Sequence, residues 1–370
     1  MINIDKLDKI SYTNKIMQMY EELNTEIVKD ILKRVKSSGD FNSFTKHQIK
    51  VLARNGGKEI FKNALIKTNK LSKSRKIELL NLFEQIVKED MIDYKPLYEY
   101  KDIDFRLTTN QIELINTMAT LTDKQLQNFT KTIAFSSQKE FVDAMDNMYK
   151  QVASGGIDIN TAYRQTTNDL ASKGITLKMK DGNNRSIEAA VRQNITYGIK
   201  QTTQLVEDDL AKELGADGVQ INITPNCRPE HQVINGQIFS LDYKNKKYPY
   251  FKKKYRDLLD DFGCQHYTSP YIIGVSEPIY TKRDIEKANS RVINYKGEQI
   301  PYYEATQKQR ALERTIRNAK KTYISSPTNE NKLKINKAQQ NMRNYINETG
   351  LERQYDREYY AGYNSWFCII

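Results

Sequence analysis

Between Ile16 and Val35 the apolar side chains fall at Ile16, Tyr20, Leu23, Ile27, Ile31 and Val35, steps of three and four that place them on one helical face. "SSGD" closes that helix. The same period returns at about 43–54, 57–69 and 73–90, interrupted at "NGG" and "KLSKS", where glycine or serine breaks it. The first ninety or so residues therefore read as short antiparallel helices. The irregular stretch "MIDYKPLYEYKDIDFRL", with Pro96 inside it, reads as a link to a longer helix pair at about 109–121 and 123–153. The second of these carries Leu126, Phe129, Ile133 and Phe141 on one face.

Farther along, "SGGIDINTA" is a stop and a restart, with Gly155 and Gly156 ending one helix and Asp158 or Asn160 offering a cap to the next. In "ITLKMKDGNNRSIEAAV" the alternation of Ile175, Leu177 and Met179 suits a strand, "DGNN" a turn, and Ser186 a cap for a helix reaching about Leu214. The period then shifts to two at Val219, Ile221 and Ile223, and turn residues and aromatics dominate to about 280. After "YKGEQIP" helical spacing resumes. Ala305, Leu312, Ile316, Ala319 and Tyr323 form an apolar stripe, with Arg310, Arg314, Arg317 and Lys321 as a basic stripe on the same helix. Past "SSPTNE", Leu333, Ala338, Met342 and Tyr345 continue as the returning partner.

These patterns predict a mainly α protein with a small α+β domain. Its units are an N-terminal helical region over 1–95, long helices with a short β-hairpin over 96–214, an α+β domain over 215–300, and a helical hairpin with an aromatic tail over 301–370. A length of 370 residues agrees with two or three structural units. Only 38% of residues are apolar, which favours an extended helical protein over a thick sandwich.

Lys and Arg outnumber Asp and Glu 58 to 46, a net charge of +12. Such an excess suits a polyanionic neighbour, and also arises from solubility alone. No apolar run approaches the roughly 18 residues a membrane helix needs, and "MINIDKLDKI" lacks the regions of a signal peptide, so a soluble protein made in a cytoplasm is expected. Three cysteines make no complete disulfide framework, and reduced thiols follow. Cys368 in "WFCII" does not stand where a prenylation box requires it.

The chemistry-bearing residues concentrate in 227–266. Cys227, His231, Cys264 and His266 are the residue types of a Cys2His2 zinc site, and in a strand Cys264 and His266 point the same way. Against that reading, Pro229 opposes a regular helix through the first pair, and the connection 232–263 is longer than a small zinc finger uses. The commoner outcome is a buried thiol in a packed turn with histidines bonded to backbone; on balance no cofactor is expected, with zinc as the one candidate. A thiol beside a histidine is also a nucleophile pattern, but no orienting third group is evident. His231, His266, Arg228 and Tyr267 can be drawn as an acid–base set for phosphodiester cleavage, as any basic cluster can. In "YKNKKYPYFKKKYR" cations interleave with aromatics, and Lys252, Lys253, Lys254 and Arg256 suit phosphate contact without sequence reading. The same run equally suits an exposed loop whose rings pack on their own domain. The stripe of Arg310, Arg314 and Arg317 has the same two readings, a positive contact face or an ordinary solvated one. No phosphate-binding glycine loop occurs.

The segments "RPEHQVINGQIFSL", "YPYF", "CQHYTSPYIIGVSEPIYT", "YYEATQKQRALERTIRNAKK" and "ETGLERQYDRE" resemble, in order, the phage minor capsid protein type 2 family, which is related to Mu F-like head proteins. "MYEELNTEIVKDILKRV", "QKEFVDAMDNMYKQVASGGIDINTAYRQ" and "RSIEAAVRQNITYGIKQTTQLVEDDLAKELGAD" extend the resemblance over most of the chain. Arg228, Pro229, His231, Asn235, Gly236, Cys264 and His266 match its motif. The resemblance implies a structural protein without turnover, inside a tailed-phage head made in a bacterial host. Its implied partners are the portal protein, other capsid proteins and non-specifically held packaged DNA, with roles in head assembly and in DNA packaging or ejection. The alternative is a nuclease-like phage effector or toxin using 227–266. Two departures stand out: Asp260 and Gln265 occupy the first cysteine and the arginine of the family's Cys-x-x-x-Cys-Arg-His segment, and Cys227 replaces a small residue. Asp260 and Cys227 are the residues able to replace the missing ligand.

Overall fold

The computed structural model describes residues 14–38, 45–154, 157–179, 182–260, 264–360 and 363. Helix α1 (Asn14–Ser37) buries the predicted face, Ile16 through Val35. The break expected at "NGG" is absent, because α2 runs unbroken over Lys46–Lys70. Gly56 instead lets α2 approach its neighbour: a Cβ there would lie 2.6 Å from two ring atoms of Phe141. A glycine inside a helix can mark close packing as well as an end.

Helix α3 spans Ser72–Met91, and α4 spans Lys95–Lys101 with Pro96 in its first turn. There the missing N–H leaves no helical bond unmade, so Pro96 opens a helix in a stretch expected to be irregular. The predicted helix pair at 109–153 is a single helix, α5 (Thr109–Ala153), capped by Thr108 and Gln111. The break expected near Thr122 and Asp123 is filled by burial: Asp123 Oδ1 accepts from Arg75 Nε at 2.7 Å, and Arg75 Nη1 donates to Tyr20 Oη at 3.0 Å. Paired in this way, a carboxylate is tolerated in mid-helix within the core.

Asp158 caps α6 (Ile159–Lys173), as expected. Strands β1 (Thr176–Lys178) and β2 (Asn184–Ser186) form the predicted antiparallel hairpin, and Ser186 caps α7 (Ile187–Leu214), which ends at Gly215 in left-handed conformation. One hydrophobic core collects side chains from Ile16 through Leu214 and adds Ile272. It joins residues from both sides of the boundary expected at 95.

The α+β unit has its own, much smaller core of Val219, Ile221, Ile234, Phe239, Phe251 and Leu259. Its sheet has β3 (Gly218–Ile221) in the centre, antiparallel to β4 (Ile238–Ser240) and β5 (Thr268–Tyr271). Two short helices, α8 (Lys253–Asp260) and α9 (Lys282–Asn289), and a hairpin of β6 (Val292–Tyr295) with β7 (Glu298–Pro301) complete it. The predicted helical hairpin follows as α10 (Tyr302–Ser325) and α11 (Asn329–Thr349), and a last turn, α12 (Tyr355–Glu358), returns to the bundle. Cys368 and the end of the aromatic tail lie outside the described residues. The chain is thus mainly α with a small α+β region.

Candidate functional site: a thiol between two histidines

The site forms where two irregular segments meet beside the small sheet. Arg228 leads into a 3-10 turn, Pro229–His231, whose first residue has a fixed φ and no N–H to satisfy. Carbonyls within the turn hold it: the Arg228 oxygen accepts from His231 N at 2.9 Å, and the His231 oxygen from Asn235 N at 3.2 Å. Gly236 then takes φ 73, with the Ile223 and Ile285 side chains where a Cβ would stand, so the motif "NG" sets both a left-handed turn and a close contact. The opposite wall is the extended lead-in to β5. Tyr267 N donates to Asn222 Oδ1 at 2.7 Å, and Asn222 N donates to the Tyr267 oxygen at 3.2 Å, continuing the pairing of β3 with β5 beyond the strand.

These walls bring three buried side chains to one point. Cys264 Sγ lies 3.5 Å from His231 Nδ1 and 3.4 Å from His266 Nδ1, and the three atoms are all within 4.8 Å of one another. The two imidazoles lie nearly parallel, with centroids 5.6 Å apart.

Asn235 decides the tautomer of His266. Its Oδ1 accepts from Thr224 N at 2.8 Å and its Nδ2 donates to Asn289 Oδ1 at 2.8 Å, which fixes the amide's orientation. Facing that oxygen at 3.1 Å, His266 Nε2 carries the hydrogen. The Nδ1 lone pair of His266 therefore faces the sulfur. Burial, with smaller contributions from His231, Lys200 and Arg228, pushes the His266 imidazole down to about 3, so it is neutral near pH 7. The His266 backbone N–H also points at Cys264 Sγ, at 3.4 Å. Such a neutral ring is poorly suited to donate a proton to a phosphodiester leaving group near neutral pH.

Cys227 is buried and lines the same cavity, but its sulfur does not join the three converging atoms. Burial pushes its thiol up to about 11. Asp260 is exposed at the end of α8 and likewise stays outside the cluster. Among the described residues the four-residue set expected from the sequence thus narrows to His231, Cys264 and His266. They form one wall of a cavity of about 250 Å³ whose other lining includes Arg228, Tyr303 and Arg310.

The basic candidates separate into two groups. Lys252, Lys253, Lys254 and Arg256 are exposed at the start of α8. Their neighbouring rings are mostly engaged: Phe251 and Tyr255 pack against Phe239, with Arg256 over Phe251 and Lys254 over Tyr255. The cations are presented outward, while the rings most intimately interleaved with them belong to their own domain.

The stripe on α10 differs from the single solvated side expected. All three arginines line a cavity of about 710 Å³ bounded by α1, α7 and α10, with Arg314 exposed and Arg310 and Arg317 half-buried, and Lys321 is buried against Glu188 at 3.4 Å. Arg317 Nη1 donates to the Arg357 carbonyl. Burial lowers both guanidinium pKa values, and it pushes the Glu313 carboxyl up to about 7 although Arg317 and Arg310 pull the other way. Arg192 and Glu21 also line this cavity. The sequence reading missed Glu313 as a member. The available signal was its position three residues before Ile316, on the buried side of the same helix.

Comparison with curated proteins and with solved structures gives no match for this chain. The family model for phage minor capsid protein 2 matches residues 2–348. No helix among the described residues is long and apolar enough to cross a membrane. With nearly the whole chain inside that match, the protein belongs to the phage minor capsid protein 2 family and is a capsid protein of the phage virion, in contact with other capsid proteins.

Proposed function

We propose that this capsid protein works at the portal vertex inside the head, in head assembly and in packaging or delivery of DNA, without catalytic turnover. The observation that carries the reading is the exposed cation row of Lys252, Lys253, Lys254 and Arg256 in a capsid protein of net charge +12. A row of this kind neutralises phosphates without reading bases, as packaged DNA requires. Supporting the portal contact, α2 leaves Val51, Leu52 and Ile66 exposed, apolar surface available to a protein partner.

Binding of duplex DNA by the purified protein is expected to weaken steeply with salt. Neutralising Lys252, Lys253 and Lys254 to Gln should flatten the plot of log K against log salt by about 0.9 for each phosphate that is no longer neutralised. An unchanged slope removes this row from the DNA-binding surface. Cross-linking of assembled heads is expected to join α2 to the portal, and Leu52→Asp with Ile66→Asp should deplete the protein from heads while leaving its helical spectrum intact. Links confined to the major shell would move the protein away from the vertex. Incubation with DNA or RNA should leave both intact; cleavage that disappears in His231→Ala would replace the structural reading with the effector one.

A further inference from the structure

We infer that His231, Cys264 and His266 form a zinc(II) site that staples the α+β unit, with two imidazole Nδ1 atoms and one thiolate as protein ligands and the fourth position turned to the neighbouring cavity. The inference goes beyond the capsid role and stands independently of the portal and DNA readings.

Geometry is its first support. Zinc holds sulfur at about 2.3 Å and imidazole nitrogen at about 2.0–2.1 Å, so a tetrahedral site separates the two by about 3.5 Å. The observed separations from Cys264 Sγ are 3.5 Å to His231 Nδ1 and 3.4 Å to His266 Nδ1. Sulfur plus imidazole in a buried cluster is a donor set that selects zinc over the hard cations.

The outer groups point the same way. A metal-bound histidine usually donates its other N–H to an oxygen that fixes the ring, and Asn235 Oδ1, itself locked by Thr224 and Asn289, receives His266 Nε2–H. The His266 backbone N–H directed at Cys264 Sγ stabilises a thiolate. Without metal the same atoms form a short thiol–imidazole chain; with it, the sulfur loses its proton and both Nδ1 lone pairs gain an acceptor.

Position supplies a reason for such a site. His231 closes the turn before β4, while Cys264 and His266 precede β5, so one ion joins the two ends of a long connection across the sheet. The hydrophobic core of this unit is split into two small clusters, one around Val219 and Phe239 and one around Ile223 and Tyr280, and small cores are commonly supplemented by a metal. Arg228 and Arg310 in the adjoining cavity favour water, hydroxide or another anion in the fourth position.

The test uses the full-length, untagged protein, reconstituted with Zn²⁺ alone or with Co²⁺ alone and freed of loose metal by gel filtration. About one equivalent of zinc per chain is expected, and the cobalt form should show thiolate-to-metal charge transfer with tetrahedral ligand-field bands. Cys264→Ser should lose the charge-transfer band and lower zinc affinity at least about tenfold, and Asn235→Ala should lower it about 10- to 100-fold. Cys227→Ser and His47→Ala should keep both the zinc and the spectrum. Zinc below about a tenth of an equivalent in the wild-type protein after reconstitution, against the near-stoichiometric content of structural sites, overturns the site regardless of how any variant folds. A cobalt spectrum without thiolate character overturns it as well, and loss of zinc in Cys227→Ser overturns this ligand assignment.

Discussion

Glu313 shows how much one side chain's surroundings can alter its chemistry. Its folded-state carboxyl titrates at about 7, against a usual 4.5, because burial outweighs the attraction of Arg317, Arg310 and Arg192 and is helped by repulsion from Glu358. A raised carboxyl pKa means the folded state holds its proton longer than the unfolded chain does. The associated stability is fully present below about pH 4.5, declines as pH rises, and is gone above about pH 7. Denaturant unfolding at pH 5 and pH 8 should show Glu313→Gln removing on the order of 2 kcal/mol of that decline, since each tenfold change in proton affinity corresponds to about 1.4 kcal/mol. A difference between wild type and variant that stays constant with pH would show the carboxylate to be ionised throughout. Among the candidate residues, the sequence revealed the types and the neighbourhood but not the convergence. Cys264 and His266 share a face because of strand spacing, which is readable; the joining of His231 and the exclusion of Cys227 depend on how the 229–236 turn folds back, which no local pattern encodes.

Helices carry the bundle, and their interruptions explain where periodicity misleads. Glycine pairs and Thr-Asp steps suggest ends, yet Gly56 lies inside α2 against Phe141, and Asp123 lies inside α5 beneath Arg75. Both are explained by partners distant in sequence, whereas caps at Asp158 and Ser186 depend on their own next three residues and were legible. Gly56→Ala is expected to destabilise the protein by about 1–3 kcal/mol through overpacking on Phe141, against a helix-propensity gain of about 1 kcal/mol. A net rise in melting temperature would show that α2 and α5 can separate without cost. Asp123→Ala should cost about 3–5 kcal/mol, since Arg75 is then buried without its carboxylate. Replacing both by apolar residues of similar volume should recover most of that loss, as measured by chemical denaturation.

At the scale of the whole molecule, the segment 353–360 holds the first helix in place. Glu358 binds Arg353 through two hydrogen bonds of 2.6 Å, Lys320 Nζ donates to the Glu358 carbonyl at 2.7 Å, and Tyr360 Oη meets Thr25 Oγ1 of α1 at 2.9 Å. The hairpin of α10 and α11 is therefore tied across α6 and α1, and the small unit that carries the thiol–histidine cluster lies between two segments that both return to the bundle. Gln204 of α7 reinforces the return by bonding both the backbone and the side chain of Thr268 in β5. The local nature of the tail's grip gives a measurable consequence. Tyr360→Ala removes a buried ring together with the hydrogen bond to Thr25, a loss of about 3–5 kcal/mol by analogy with other buried aromatics. Hydrogen exchange should then quicken along α1 around Glu21–Thr25, where Tyr360 sits, while amides of α5 from Ile133 to Met148 keep their protection because α5 packs chiefly against α2, α3 and α7. Equal acceleration in both helices would mean that the tail stabilises the bundle as one cooperative unit. Unchanged exchange in α1 would mean that α10 alone is enough to hold the first helix.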